Sequence, residues 1–418
     1  MAFPISNGMK KTAARKRKKI IYNEICPEFE VAEATAKHYG FIPLPDIEIE
    51  KSDMYSAKRF DESHLGGVRP WSDERERFAG YLEEKIAIMR NLTEKKWSQL
   101  GMPLSGFYEG PVKGNPHIRR TTENRTFNLE IIGMSKPIAE AMIIETTFMI
   151  LKDRYPDEEL SIEINSIGDK ESIARFVREL GSYCRKEIGK IPGAYRQELK
   201  KDIFSIFSMH DEKLEEFKDN APKPMAYLSD VSRQHFHEVL EYLESLKIPY
   251  EVCHNLIGSR SYCTDTVFEV RGKKGILAIG ERYNGLAKKI WGKKDIPALG
   301  CAILIHPHFV TKRQIKKKKK GKESEPKFYF IQFGTDAKHK SLQIIETLRQ
   351  AKIPVHQALS KDKLSAQLAT AEKMNIPHII MMGQKEAMEE SVVVRNMTTR
   401  VQETIHLSLL VTYLKKLK

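Results

Sequence analysis

The chain has 418 residues, 41% hydrophobic and 30% charged, with a formal net charge of +14. This length suits two or three domains with a large core, and the balance excludes the disordered and membrane classes, since no run of eighteen apolar residues is present to span a bilayer. No apolar segment follows the basic N-terminus, so no secretory leader is expected. Five scattered cysteines (Cys26, Cys184, Cys253, Cys263, Cys301) without a CxxC pair point to reduced thiols in a cytoplasm rather than a zinc site.

The first segment with a clear character is residues 10–19, KKTAARKRKK, with seven basic and no acidic residues. A block of like charge repels itself and stays solvated, so residues 1–23 read as a disordered basic arm. Residues 24–40 follow as an amphipathic helix with Ile25, Phe29, Ala32, Ala36 and Tyr39 on one face, closed by Gly40. FIPLPDIEIE is an extended, proline-interrupted segment. Residues 72–98 are helical again, with Phe78, Tyr81, Leu82, Ile86 and Met89 aligned, and residues 101–125 are a region rich in Gly, Pro and charge.

TFNLEIIG then reads as a strand, SKPIAEAMIIETTFMILKDRY as a long apolar-striped helix, and ELSIEINSIG as a strand. Residues 232–247 form a helix that Ser232 is placed to cap, with Phe236, Val239, Leu240, Leu243 and Leu246 on one face. Successive strands follow: YEVCHN, YCTDTVFEV, GILAIG and ALGCAILIHP, an antiparallel sheet with helices against it. Residues 311–327 hold nine basic and two acidic residues, a net of +7 that equals the net of residues 10–19, so these two segments carry the whole excess charge. Such arms bind polyanions by counterion release, which favours RNA or DNA as a partner; the alternative is a solubilising tail and linker. Beyond residue 327, FYFIQFG, IPVHQAL, HIIMMG and SVVVRNM alternate as strands with helices in DAKHKSLQIIETLRQA, KDKLSAQLATAEKM and LSLLVTYLKKL, a small α/β domain.

The order of these pieces resembles the histidyl-tRNA synthetase family of class II aminoacyl-tRNA synthetases, over about residues 25–418. YGFIPLPDIEIE resembles the first class II motif, which builds the dimer interface, and GFYEGPV with TFNLEIIG resembles the second. TDTVFE and ERYNGL fall in the family's order, and SKDKLSAQLATAEKMNIPHIIMMG with VVVRNMTT resembles its anticodon-binding domain. The resemblance implies an α+β class II synthetase-like antiparallel sheet with helices over residues 24–310, a basic linker at 311–327, and an anticodon-binding-like α/β domain at 328–418. It implies a homodimer that binds tRNA, with Glu130, Tyr262, Thr264, Arg282, Tyr283 and Gly285 in a pocket for histidine. Lys361, Lys363, Arg395 and Arg400, with Lys316, Lys317, Lys318, Lys319 and Lys320 of the linker, are the candidate RNA contacts.

Adenylation brings a carboxylate to the α-phosphorus of ATP, so two anions meet and fixed cations, Arg or Mg²⁺, must hold the transition state. The positions that carry arginine in the family differ here: Val112 is followed by Lys113 and Gly114, and LGCAILIHPH ends in His306 and Pro307. Gly258 stands at a third family arginine, Cys263 replaces a Tyr and Glu281 a Gly. Arg119, Arg120, Arg125 and Arg260 are the candidate replacements, and Glu130 is expected to have a partner such as Arg282 or a ligand amine. The resulting expectation is a tRNA- or RNA-binding synthetase paralogue without adenylation, needing no cofactor. The alternatives are a diverged histidine–tRNA ligase using ATP and Mg²⁺, and a histidine-responsive regulatory subunit of ATP phosphoribosyltransferase.

Overall fold

A computed structural model describes residues 29–63, 82–94, 97, 100–113, 125–209, 211–258, 262–273, 275–292, 295–305, 327–357, 359, 361 and 363–417. Through the first 305 residues the elements run α1 (Glu30–His38), β1 (Ile42–Pro43), α2 (Lys51–Ser63), α3 (Leu82–Thr93), β2 (Leu104–Gly110), β3 (Arg125–Ile132), α4 (Ile138–Arg154), β4 (Ser161–Ser166), α5 (Lys170–Lys186), α6 (Arg196–Lys201), α7 (Glu212–Asn220), α8 (Asp230–Ser245), β5 (Tyr250–Val252), β6 (Thr264–Gly272), β7 (Gly275–Arg282), α9 (Leu286–Trp291) and β8 (Ala298–Ile305). The remainder is β9 (Phe328–Gln332), α10 (Thr335–Gln350), β10 (Val355–Gln357), α11 (Leu364–Lys373), β11 (His378–Met382), α12 (Gln384–Met388), β12 (Ser391–Asn396), β13 (Gln402–His406) and α13 (Leu407–Leu417).

The first eight strands form one sheet in the order β1-β2-β3-β8-β7-β6-β4-β5. Every pairing is antiparallel except β1 with β2 and β4 with β5. Because side chains alternate across a strand, each strand feeds two cores. Leu129, Ile131, Phe268 and Cys301 pack beneath the sheet against α1, α4 and α8, while Ile132, Val267, Tyr283 and Ala298 pack above it with α3, α5 and α9. Helix α4 is apolar on nearly every side, as a helix must be when it is enclosed by a sheet and other helices.

The second sheet has the order β10-β9-β11-β12-β13, parallel through its first three strands and antiparallel through the last three. Helices α10, α12 and α13 cover one face, and α11 covers part of the other.

Several expectations are corrected. Helix α8 begins at Asp230, and its cap is Ser229, whose hydroxyl accepts from Ser232 N; Ser232 instead donates to Asp265 from inside the first turn. The Gly-, Pro- and charge-rich segment 101–125, given no element from its sequence, contains strand β2. Helices α2 and α12 and strand β13 lie in segments that carry no periodic signal strong enough to call them out. Of the first expected helix, only the part from Phe29 onward falls among the described residues.

Candidate functional site

Ladder pairing places Gly106, Glu130, Gly300, Glu281 and Val267 in one row across five adjacent strands, on the upper face. Both neighbours of Glu130 are glycines, each with its own steric reason: a Cβ at Gly300 would sit 2.6 Å from Glu130 Oε2, and one at Gly106 would collide with the Leu44 side chain. The carboxylate therefore lies flat across the backbone of β8 and is buried. Tyr283 Oη donates to Glu130 Oε2 at 2.6 Å, and Lys85 Nζ, reaching down from α3, is 3.8 Å from Oε1. The same ammonium sits 4.1 Å over the Tyr283 ring. Burial pushes the Glu130 carboxyl up, while Lys85 and Tyr283 pull it back and Glu281 opposes them.

The rest of this face is closed in the same manner. Cys263 Sγ donates to Glu281 Oε2 at 3.0 Å and Tyr262 Oη to its other oxygen at 3.4 Å. Glu84, beside Lys85 on α3, accepts from Tyr108 Oη at 3.2 Å and from Val112 N at 3.0 Å. Tyr262 and Tyr283 meet edge to face with centroids 6.4 Å apart. Burial raises the Tyr283 and Tyr108 hydroxyls, as does the carboxylate each one serves.

Arg282 is the neighbour of Glu281 on β7 and so projects through the opposite face. The expected pairing with Glu130 is not made. Arg282 instead grips Glu140 of α4 with Nε–Oε1 at 2.6 Å and Nη2–Oε2 at 2.5 Å, and donates to Met134 O. His235 of α8 adds a third contact to Glu140 at 2.8 Å. Arg125 also points away from Glu130, being an odd number of residues from it on β3. It pairs with Glu109 and lies over the Phe29 ring. Thr264, opposite Arg282, has its hydroxyl buried without a hydrogen-bond partner. Gly285 takes φ +78° ahead of α9, which makes it a turn residue.

Gly258, standing where the resembling family carries arginine, adopts φ +75°, and a Cβ there would lie 2.9 Å from Val267 Cγ1 and 3.2 Å from Cys263 Cβ. A side chain at this position would be strained by the left-handed backbone and would have to displace Val267 and Cys263. Lys113 is extended outward to Glu48 at 2.7 Å and is largely exposed. The other candidates (Arg119, Arg120, Arg260, His306 and Lys316–Lys320) lie outside the described residues. Among the described residues, the buried cations Lys85, Arg90, Lys218 and Arg282 each meet a carboxylate: Glu130, Asp53, Glu215 and Glu140. ATP and Mg²⁺ would need cations and acidic oxygens turned toward a shared space, and the described residues of this face do not fit that demand.

Sequence reading overlooked Lys85 and Glu84, which close the site from above. Their signal was present in EEKIAIM, where charges interrupt an apolar helical run and so require buried partners.

In the second sheet the four candidate RNA contacts separate. Lys361 follows β10 at the Gln332 end of the parallel strands, where its carbonyl accepts from Gln332 and Gln367 and its Nζ donates to Thr370 at 2.8 Å. Lys363 stands at the entry to α11. Arg395 lies on β12 opposite Ile379, at the other end of those strands, and Arg400 is in the turn that follows.

An eight-stranded, largely antiparallel sheet joined to this second unit, whose residues 327–417 match the family described as Anticodon binding domain, defines a class II aminoacyl-tRNA synthetase-like protein. The chain is 31% identical over 412 residues to a histidine–tRNA ligase of Fervidobacterium nodosum, covering 94% of this chain and 90% of that one. It is 29% identical over 417 residues to one of Halothermothrix orenii, covering 97% and 94%. The chain belongs to the histidyl-tRNA synthetase family. A solved structure of apo histidyl-tRNA synthetase from S. aureus aligns with 95% of this chain and 99% of its own at 21% identity, with a TM-score of 0.49.

Proposed function

We propose that this member of the family binds tRNA, or an RNA shaped like it, without activating histidine. The observation that carries the reading is Gly258, which stands where the resemblance expects an arginine, on a backbone and in a packing that would strain any side chain there. The pairing of every described buried cation with a carboxylate supports it, since a group already neutralised by a neighbour is not poised for a developing phosphoryl charge. Losing one such positioned group typically costs about 10²–10³ in rate. RNA binding rests on the anticodon-binding domain together with the basic stretches at 10–19 and 311–327.

In this reading the protein is a cytoplasmic homodimer, and histidine binding is separate from activation. The decisive experiment is histidine-dependent ATP–pyrophosphate exchange beside salt-dependent filter binding of tRNA. Background exchange with strong tRNA binding is expected. Exchange above background overturns the reading in favour of a working ligase using Arg119, Arg120 or Arg260, for which the named activity of the relatives speaks. An absence of salt-dependent RNA affinity overturns the binding half.

A further inference from the structure

Helix α10 serves two cores at once. Ala337, Ile344 and Leu348 pack on the second sheet, while Leu342 and Ile345 enter the core beneath the first sheet. Polar contacts run along the seam on either side of this apolar stripe. Arg349 Nη1 is 2.6 Å from Asp153 Oδ2, and its Nε is 2.7 Å from Glu346 Oε2. The Tyr39 hydroxyl donates to Glu346, His38 Nε2 is 2.9 Å from Ile345 O, and the His339 ring stacks on Tyr242 at 3.9 Å.

Glu145 of α4 is set into this seam. It is fully buried, and neither carboxylate oxygen has a hydrogen-bond partner. One and two turns further along α4, Met149 and Asp153 both touch Arg349, so this face of the helix is turned toward α10. The charged and titratable groups around Glu145 are Glu346 and Arg349 from α10 and Tyr39 from the end of α1. Arg349 is committed to Asp153 and Glu346, and Glu346 adds repulsion. An isolated carboxylate in such a place is too costly to stay ionised, so the closed seam holds the neutral acid.

We propose that docking of the anticodon-binding domain onto the N-terminal body is proton-linked, with Glu145 as the carboxyl that takes up the proton when α10 closes. Burial, followed by the Glu346 charge, raises this carboxyl well above its ordinary 4.5 in the closed state, and opening returns it to water. The closed form then keeps a proton that the open form gives up above its ordinary 4.5. Docking weakens about tenfold for each unit of rising pH until the closed-state value is passed. His38, facing Arg349 and Glu346, and His339, facing Glu241, Asp336 and Glu238, are held below 6.5 chiefly by burial, so both titrate on the acid side of this window.

The proposal is independent of adenylation and of RNA binding, and is tested on the full chain. Leu342→Cys places a reporter thiol in the seam, where it is reached only on undocking; its labelling by a disulfide reagent is read by mass spectrometry and normalised to an unfolded control. Between pH 6.5 and 8 the opening constant should rise with pH in the reporter protein, by up to about tenfold per unit. The slope should vanish when Glu145→Gln or Glu145→Met is added, Met also testing the site without a polar group. A pH-independent reporter protein, or the same slope with either Glu145 substitution, overturns the proposal.

Discussion

Arg282 and Glu140 form a bidentate ion pair, at 2.6 and 2.5 Å, in which both side chains are wholly buried between the first sheet and helix α4. Such a pair is strongly needed once present, because removing either partner strands the other charge. Arg282→Met should cost about 3–5 kcal/mol in urea unfolding. Replacing both residues by methionine should cost clearly less than the sum of the single changes, and an additive cycle would show that the two act separately.

The same pair sets an acid limit. Burial alone would raise Glu140, but Arg282 and His235 override it and hold the carboxyl at about 2, against 4.5 unperturbed. A carboxylate depressed by folding stabilises fully above its unfolded value and loses that contribution as pH falls toward the folded one. Unfolding free energy should therefore decline between pH 4.5 and 2, and Glu140→Gln should flatten this decline. An unchanged acid slope in that variant would place the acid sensitivity elsewhere.

Long periodic elements were legible in the sequence: α4, α8, β7, β8 and most of residues 328–417 stand where their patterns put them. Strand β2 was not, because Gly106 and Gly110 read locally as turn residues. In the fold they are strand positions where Leu44, Thr126 and Asn128 fill the space a Cβ would take. The site was legible in part. Glu130 and Tyr283 meet in the fold, but the face on which Arg282 emerges depends on register with β6 and β8. Lys85 comes from a helix more than forty residues away from Glu130 in sequence, and only tertiary packing brings the two into contact.

Gly258 offers a direct trial of whether a missing arginine can be put back. Gly258→Ala should cost about 1–3 kcal/mol for the left-handed backbone alone, before any contact with Val267 or Cys263 is counted. Gly258→Arg should lose at least as much and give no pyrophosphate exchange. Recovery of exchange in that variant would mean that the loop rearranges freely and that the glycine is no barrier.

The site face predicts its own weak point. Glu130 depends on the hydroxyl of Tyr283, and Tyr283→Phe leaves a buried carboxylate oxygen without its donor. A loss of about 1–3 kcal/mol is expected from thermal or urea unfolding. Lys85→Met removes the neighbouring cation as well as its contact with the Tyr283 ring, and should raise the Glu130 carboxyl further. If both substitutions are neutral, the network does not hold the upper face together.

The anticodon-binding domain separates its basic residues widely enough for RNA to distinguish them. Lys361 and Lys363 lie near the Gln332 end of β9, whereas Arg395 and Arg400 lie near the start of β11, about 13 Å away along the five-residue strand. Lys361 already donates to Thr370, and its backbone carbonyl is held by Gln332 and Gln367, so its position is that of a structural residue. Arg395 differs: its Nε is buried without a hydrogen-bond partner, on a sheet face that α11 covers only in part. RNA engaged at this end would gain from both arginines. Arg395→Ala and Arg400→Ala should each weaken tRNA binding and each lower the slope of log K against log salt by about 0.7, the value for one single-strand phosphate contact. Lys361→Ala should leave that slope unchanged. The reverse pattern, with Lys361 and Lys363 carrying the salt dependence, would move the RNA to the opposite end of the sheet.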